Sequence, residues 1–273
     1  MGWKDQVLVR LTRATGVQVL RQAGGRRGLS LARRERMLVR PTFILSSVRS
    51  GSTLLRMILN SHPEIYAPHE LHLSSVKVDL CDHYAEKSMG ELGLPAAELT
   101  HMLWDRMLDH ALRKSGKSVL VEKTPNHVFM WNRLARCWPD AQFIFLLRHP
   151  AAIVESWARA RPEGGREGAA ASVGRYAAAL NDARRVLPGH TVRYEDLVAD
   201  PEKEGQALCD FLGVRWEPAM LEYGRFEHGA IKAGLGDWTQ RIRSGRVQPP
   251  RQLPPATDLP DGLRAVAEDW GYV

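Results

Sequence analysis

Short apolar runs recur along the chain and alternate with stretches of helical spacing. The runs lie near residues 43–47, 119–121, 143–147 and 191–194. Each is apolar almost throughout, as in strands that are covered on both faces. Strands that alternate with helices in this way are typical of a parallel sheet. The pattern therefore predicts an α/β fold with a central parallel sheet flanked by helices.

The segments between the runs carry further predictions. Residues 74–118 contain apolar positions at helical spacing, which predict an amphipathic helix that packs on the core. Residues 164–174 are rich in glycine and predict a flexible loop that leads into a helix around residues 176–186. A proline-rich stretch, residues 248–260, predicts an extended crossing of the surface. A closing helix is expected over residues 261–270.

The first run passes straight into a small polar turn and an apolar helix, in the sequence FILSSVRSGSTLLRMIL. Gly51 allows the backbone to approach a ligand closely or to take a positive φ. Ser50, Ser52 and Thr53 supply hydroxyls, and a helix from Leu54 would present free N–H groups to an anion. These features predict a phosphate cradle, although an ordinary strand-to-helix turn has the same outline. The GxxxxGK pattern of ATP- and GTP-binding loops is absent, and the cation, Arg49, precedes the glycine.

A second segment, AQFIFLLRHPAAIVESW, supports the same interpretation. Its strand ends at Arg148, Pro150 opens a helix, and Ser156 follows eight residues after the arginine. Residues seven or eight apart share one face of a helix, so both side chains can face one phosphate. Alone, each would more often be an ordinary surface residue.

Together, SVRSGSTLL and LLRHPAAIVESW resemble the sulfotransferases that use 3′-phosphoadenosine 5′-phosphosulfate (PAPS), from about Pro41 to Leu197. The resemblance implies a P-loop-like three-layer fold, a PAPS co-substrate and the product 3′,5′-bisphosphoadenosine. It also implies that Arg148 and Ser156 bind the 3′-phosphate. The residues implied for the 5′ side of the donor are Arg49, Ser50, Gly51, Ser52, Thr53 and Leu54.

Two further donor-binding residues come from looser matches to the family. Tyr194, in VRYEDLVADP, matches a recurrent family segment. Lys232 stands in a basic-glycine element that precedes Gly-Asp-Trp, where the resemblance implies a ligand of the 3′-phosphate. The arginine expected before it is Ile231 here, so a solvated loop lysine remains the alternative.

The segment from Arg49 through Glu70 resembles the tyrosylprotein and carbohydrate branch and the sulfotransferase domains of polyketide synthases. That resemblance implies Glu70 as the general base for the acceptor hydroxyl. His72 is the alternative base, because the cytosolic sulfotransferases use a histidine. A helix-capping or salt-bridged glutamate is the structural alternative for Glu70.

Lys123, in VLVEKTPNH, is the candidate cation for the leaving group. The apolar run Val119–Val121 delivers it to a strand end, where open α/β sheets bind their ligands. Relatives have a lysine in the matching element, although a surface lysine that closes a strand is possible. Arg49 is expected to support both donor binding and the transferring charge. No metal is expected, because a sulfuryl group is less charged than a phosphoryl group.

Composition places limits on these interpretations. The 3 cysteines lack the spacing of a disulfide framework or a zinc site. No apolar segment reaches the length of a membrane span, and no secretory signal is evident, so we expect a cytoplasmic enzyme. The acceptor is expected to be the hydroxyl of a small metabolite rather than nucleic acid. The oligomeric state cannot be inferred.

The net charge of +7 is concentrated in residues 1–40, where ten Lys or Arg face two acids. These residues predict a basic helical arm, and residues 41–273 a single sulfotransferase domain. The basic surface could dock an acidic carrier protein that bears the acceptor. Two other functions stay open: an atypical P-loop kinase or NTPase, and a non-catalytic nucleotide-binding protein.

Overall fold

The computed structural model describes residues 36–229, 240–250 and 252–273. Its centre is a five-stranded, all-parallel sheet with the strand order β2-β3-β1-β4-β5. The strands are β1 (Thr42–Ser46), β2 (Ile65–Tyr66), β3 (Val119–Glu122), β4 (Gln142–Leu147) and β5 (His190–Arg193). Every residue of β1 and β4 is buried, as expected of inner strands with both faces covered.

Helices connect the strands. They are α1 (Ser52–Asn60), α2 (His83–Glu91), α3 (Ala96–Ser115), α4 (Trp131–Cys137), α5 (Pro150–Ala160), α6 (Gly165–Val186), α7 (Tyr194–Ala199), α8 (Pro201–Leu212), α9 (Gln240–Arg243) and α10 (Arg264–Asp269). Short 3₁₀ turns lie at Leu73–Ser75, Pro125–Met130, Pro162–Gly164, Pro218–Arg225, Ala256–Asp258 and Asp261–Leu263. The predicted α/β class, with a parallel sheet flanked by helices, is confirmed.

The described residues form two compact units. The first contains residues 36–41, His72–Gly116 and Met130–Ala141, and the second contains Thr42–Leu71, Lys117–Phe129 and the described part of Gln142–Val273. The whole sheet belongs to the second unit. Its main core joins α1, α7 and α8 to the sheet through Leu55, Ile144 and Leu208, all fully buried. The single domain predicted for residues 41–273 stays a prediction.

The first unit is organised around α3. Asp105 accepts hydrogen bonds from the backbone N–H groups of Met37 (2.6 Å) and Leu38 (3.1 Å) and from the Trp138 indole (2.9 Å). The indole of Trp104 donates to the carbonyl of Val76 (2.8 Å). Trp104 is fully buried, so it packs in a core. Residues 1–35, most of the predicted basic arm, lie outside the described residues.

Four strands lie within one residue of their predicted positions, but three details differ. Strand β2 was not predicted, because two residues are too few for a pattern. Helix α1 begins at Ser52 rather than Leu54, which places Ser52 and Thr53 in its first turn. On α3 the polar Thr100 and Asp105 are buried, whereas the apolar Met102 is 46% exposed.

The predicted flexible loop over residues 164–174 is wrong, since these residues form the start of α6. The glycines here are offset by three consecutive alanines, which have the highest helix propensity. Ala169 and Val173, one helical turn apart, are buried. Burial of this face outweighs the conformational cost of the glycines.

Candidate active site

All five strands of the second unit deliver candidate residues from their carboxyl ends. Strand β1 leads into the turn that contains Arg49, and β2 is followed four residues later by Glu70. Strands β3, β4 and β5 end directly before Lys123, Arg148 and Tyr194. In a parallel sheet these ends lie along one edge, where open α/β sheets bind ligands.

The turn between β1 and α1 has a backbone that few residues adopt. Arg49 and Gly51 have φ values of 64° and 90°, in the left-handed region. A Cβ on Gly51 would lie 2.2 Å from Cδ2 of Tyr194, so only glycine fits. The Tyr194 ring thus packs against the turn, and this contact explains how a residue 143 positions away belongs to the same site.

The two sequence motifs meet through their arginines. Arg49 Nε donates a hydrogen bond to Ser156 Oγ (3.1 Å), and Arg148 Nη1 donates to the carbonyl of Arg49 (2.7 Å). The Arg148 guanidinium also lies 4.5 Å from the centre of the Tyr194 ring. Two arginines that are joined at one turn give it positive charge, so the arrangement suits a phosphate or sulfate group.

The hydroxyl of Ser50 strengthens this interpretation. Ser50 is buried, and its Oγ has no hydrogen-bond partner among the described residues. Buried hydroxyls are usually satisfied in folded proteins, so such an atom beside a helix N-terminus is available to a ligand. Ser52 and Thr53 are also buried, in the first turn of α1.

Glu70 and Lys123 form an ion pair through Glu70 Oε1 and Lys123 Nζ. Lys123 is almost fully buried, with 1% of its side chain exposed, and Glu70 is 12% exposed. Burial lowers the pKa of Lys123, while the charge and hydrogen bond of Glu70 act in the opposite direction. The proposed base and the proposed cation are therefore in direct contact, away from bulk water.

Arg56 is a charged residue at this site that sequence reasoning missed. It lies in α1, is 5% exposed, and donates to the carbonyl of Ala67 (2.9 Å). Burial lowers the pKa of Arg56 to about 10, and the charge of Glu70 raises it in part. A charged residue inside the apolar helix sequence LLRMIL was the signal that could have identified it.

Three aromatic side chains, Phe129, Trp157 and Tyr176, form a group in the second unit. The rings of Phe129 and Trp157 lie 4.6 and 5.9 Å from that of Tyr176, measured between centroids. The Tyr176 hydroxyl contacts Asn126, and its pKa is raised by burial, with Glu70 adding to the rise. Phe129 is 51% exposed, so the group offers an apolar surface to a ligand.

The start of α5, which follows Arg148, is held by Glu195. Its Oε1 accepts a hydrogen bond from the His149 N–H (3.1 Å), and its Oε2 contacts the Tyr272 hydroxyl. Glu195 lies in the first turn of α7 but binds the N-terminal end of α5, because His149 follows β4, the strand that pairs with β5.

The roles of two further predicted residues stay predictions. His72 belongs to the first unit, where it precedes a 3₁₀ turn with a φ of 48°. Lys232 lies outside the described residues. In the described parts of the chain, His, Cys, Asp and Glu side chains nowhere gather in groups of three or more that could hold a metal ion. None of the described helices has the length and apolar character that crossing a bilayer requires.

The chain is an α/β protein whose candidate residues follow the carboxyl ends of the strands of a parallel sheet. A family model described as "Sulfotransferase family" matches residues 41–218. The chain therefore belongs to the sulfotransferase family, as the two motifs predicted.

Curated relatives agree with this assignment. The chain is 30% identical over 224 residues to the nodulation protein NoeE of Sinorhizobium fredii, which covers 68% of this chain and 52% of NoeE. It is 28% identical over 213 residues to protein-tyrosine sulfotransferase 1 of Danio rerio, covering 66% and 55% of the two chains. The chain thus spans about half the length of these relatives.

Two solved structures are similar over most of the chain. The sulfotransferase domain from the curacin biosynthetic pathway has a TM-score of 0.62 at 26% identity and covers 86% of this chain and 99% of its own. The sulfotransferase domain of the Synechococcus PCC 7002 olefin synthase has a TM-score of 0.63 at 27% identity, with 88% and 98% covered.

Proposed function

We propose that this sulfotransferase moves a sulfuryl group from PAPS to the hydroxyl of an acceptor, releasing 3′,5′-bisphosphoadenosine. The observation that carries the proposal is the contact between Glu70 and Lys123. It supports a pairing of base and cation in the unit that also holds the arginine cluster. Residues 41–273 would act as one sulfotransferase domain.

The donor side of the proposal rests on the shape and charge of the turn. The 5′-phosphosulfate would bind to the side chains of Arg49, Ser50, Ser52 and Thr53. The backbone N–H groups of Gly51 and Leu54, at the start of α1, would also contact it. Arg148 and Ser156 would bind the 3′-phosphate, and Tyr194 would support the turn. Lys232 is proposed as a further ligand of the 3′-phosphate. The lone hydroxyl of Ser50 and the missing space for a Cβ at Gly51 both suit a ligand held close to the backbone.

The chemical step uses two residues in contact. Glu70 takes the proton of the acceptor hydroxyl as the new O–S bond forms. The bond between sulfur and the 5′-phosphate oxygen then breaks, and Lys123 and Arg49 stabilise the charge on the departing phosphate. Sulfuryl transfer of this kind needs alignment and charge stabilisation, and no metal enters the scheme.

The acceptor is proposed to be the hydroxyl of a small metabolite. Phe129, Tyr176 and Trp157 would contact its apolar part, since these rings lie together and Phe129 is half-exposed. Similarity to sulfotransferase domains named from the curacin pathway and an olefin synthase supports testing a carrier-bound acceptor as well. A cytoplasmic setting without nucleic acid is part of the proposal.

The decisive experiment incubates the purified chain with ³⁵S-labelled PAPS and a metabolite extract, followed by mass spectrometry for an added sulfate. Glu70→Gln and Lys123→Ala should abolish label transfer, whereas Glu64→Gln, an exposed glutamate of the same unit, should not. Full transfer by both site variants would refute this mechanism. Loss in His72→Asn with retention in Glu70→Gln would identify the histidine as the base.

A binding measurement addresses the two other functions. Calorimetric titration of 3′,5′-bisphosphoadenosine should give the same affinity with EDTA as with Mg²⁺. Tight binding of ATP that requires Mg²⁺ would favour a kinase or NTPase. Binding of PAPS without transfer to any acceptor in the extract would favour a non-catalytic protein.

A further inference from the structure

A second pair of titratable residues lies beside Glu70 and Lys123 and has no role in the step above. Glu122 and His127 are both fully buried, with 0% of either side chain exposed. His127 Nδ1 lies 2.6 Å from Glu122 Oε2, an ion-pair distance, although the angle departs from hydrogen-bond geometry. Burying an acid is costly unless it is paired, so this pair needs an explanation.

The other oxygen of Glu122 holds the loop that carries Glu70. Glu122 Oε1 accepts hydrogen bonds from the Leu71 N–H (3.3 Å) and from Thr124 Oγ1 (2.6 Å). Glu122 and Lys123 are consecutive residues, and so are Glu70 and Leu71. Two consecutive residues at the end of β3 therefore hold two consecutive residues of the loop. Lys123 contacts the Glu70 side chain, and Glu122 accepts a hydrogen bond from the Leu71 backbone.

Full burial excludes direct contact of this pair with an acceptor. Neither side chain reaches the surface, and the Glu122 oxygens are directed at Leu71, Thr124 and His127. The pair can influence turnover only through the residues that it contacts. The pair lies next to Glu70 and Lys123, the residues proposed for the chemical step, so we expect it to influence turnover.

We infer that Glu122, held by His127, is a positioning residue that fixes the loop of Glu70 and supplies negative charge next to Lys123. The inference rests on the proposed function, because it assigns Glu122 a role in the same step. In this arrangement the buried acid keeps the base in register and keeps the neighbouring lysine protonated.

The surroundings of Lys123 and Glu122 act on the pKa values of both residues, in opposing directions. Burial lowers the pKa of Lys123; Glu70 and Glu122 raise it, and Arg56 lowers it further. Burial raises the pKa of Glu122, but its contact with His127 and the hydrogen bonds from Thr124 and Leu71 together outweigh burial and lower that pKa overall. Glu122 is thus an anion that opposes the loss of the Lys123 proton.

The first test is the pH profile of Glu122→Gln, which keeps an acceptor for the Leu71 N–H and removes the charge. The readout is release of 3′,5′-bisphosphoadenosine from PAPS in the presence of the metabolite extract. We expect kcat to fall about 10-fold, because the loop that carries Glu70 is then held less precisely and misplacement of a reacting group lowers the rate. The basic limb of the profile should move to lower pH, because Lys123 then loses its proton more easily. The affinity for 3′,5′-bisphosphoadenosine should stay the same.

The matched control is Asp105→Asn, another buried acid that accepts backbone N–H groups but belongs to the first unit. It should lower the melting temperature and leave the pH profile unchanged. An unmoved basic limb in Glu122→Gln, with only a lower melting temperature, would reduce the pair to a structural role and overturn the inference.

The second test needs no substrate. Glu122→Leu removes the acceptor, so hydrogen exchange of the Leu71 amide should become faster, while exchange of amides in β4 stays slow. Unchanged exchange at Leu71 would also overturn the inference. Failure of the proposed function has a different signature, in which the unmodified chain transfers no label while Glu122→Leu still speeds exchange of the Leu71 amide.

Discussion

The donor side and the transfer side of the candidate site use charge in different surroundings. Arg49, Arg148 and Ser156 are only partly buried, whereas Lys123 and Glu122 have almost no exposure. A partly exposed guanidinium can be removed and replaced by water. When one partner of a buried ion pair is removed, water does not compensate the other, because the remaining charge is left in a medium of low polarity. Substitutions on the two sides should therefore differ in kind.

The largest effect is expected from Lys123→Ala, on the transfer side. The variant removes the cation next to the departing phosphate, so kcat should fall about 10³-fold, in the range for loss of a preorganised stabilising group. Measured by single-turnover kinetics with PAPS, this loss should appear in the chemical step. The control is Lys117→Ala, which removes a lysine of the same unit that donates to the carbonyls of Asn60, His62 and Ile65. This variant should retain most of the turnover. Equal losses in both variants would contradict a chemical role for Lys123.

Arg49→Ala and Arg148→Ala test the donor side. Each removes a charge that the proposal places on a phosphate, worth about 1.5–3 kcal/mol, so the dissociation constant for 3′,5′-bisphosphoadenosine should rise roughly 10- to 100-fold. Arg49→Ala should also lower kcat, and Arg148→Ala should leave it nearly unchanged. Calorimetry provides the affinity, with Arg159→Ala, an exposed arginine on α5, as the control. Undiminished affinity in both variants would show that the donor binds at a different site.

Gly51→Ala tests whether the turn can accept a side chain. The added methyl group would meet the Tyr194 ring at 2.2 Å and the φ of 90° is strained for alanine, so stability should fall by about 1–3 kcal/mol. Thermal or urea denaturation measures the loss. Gly90→Ala in α2 is the matched control, since nothing lies within 4 Å of its Cβ position, and it should be neutral or stabilising. Similar behaviour of the two variants would mean that the turn can relax.

The smallest effect is expected from Ser156→Ala. It removes one neutral hydroxyl from the arginine cluster, worth about 0.5–1.5 kcal/mol, so the affinity for 3′,5′-bisphosphoadenosine should fall only about 2- to 10-fold. Because Arg49 Nε then loses its partner, the melting temperature of the ligand-free protein should fall slightly. A loss as large as that of Arg148→Ala would show that the serine, rather than the arginine, dominates 3′-phosphate recognition.

Much of the donor side could be predicted from sequence because each motif is local. In the first motif a strand, a glycine turn and a helix occupy consecutive residues, and in the second Arg148 follows a strand just before the helix that carries Ser156. The two motifs meet because β1 and β4, the strands that lead into them, are neighbours in the parallel sheet. The apolar run of β3 likewise predicted that Lys123 follows the carboxyl end of a strand, as it does in the structure.

The transfer side was harder to predict because its contacts join separate segments. Burial of Glu122, its hydrogen bond to the Leu71 N–H and the place of Arg56 inside α1 depend on packing that no local pattern records. Strand β2 has only two residues, and its position is fixed by pairing with β3. Helix α6 shows the opposite case, in which buried positions overrode the glycine signal.

The hydrogen bond from Arg148 to the Arg49 carbonyl has a consequence for the speed of recognition. The guanidinium is already fixed between this carbonyl and the Tyr194 ring, so an incoming anion finds its partner in place and little side-chain ordering is needed. Association should then be limited by diffusion and by attraction between opposite charges. Its rate should fall as salt screens that attraction over about 10 Å at 0.1 M ionic strength. The lifetime of the complex, set by the contacts made after arrival, should depend on salt much less.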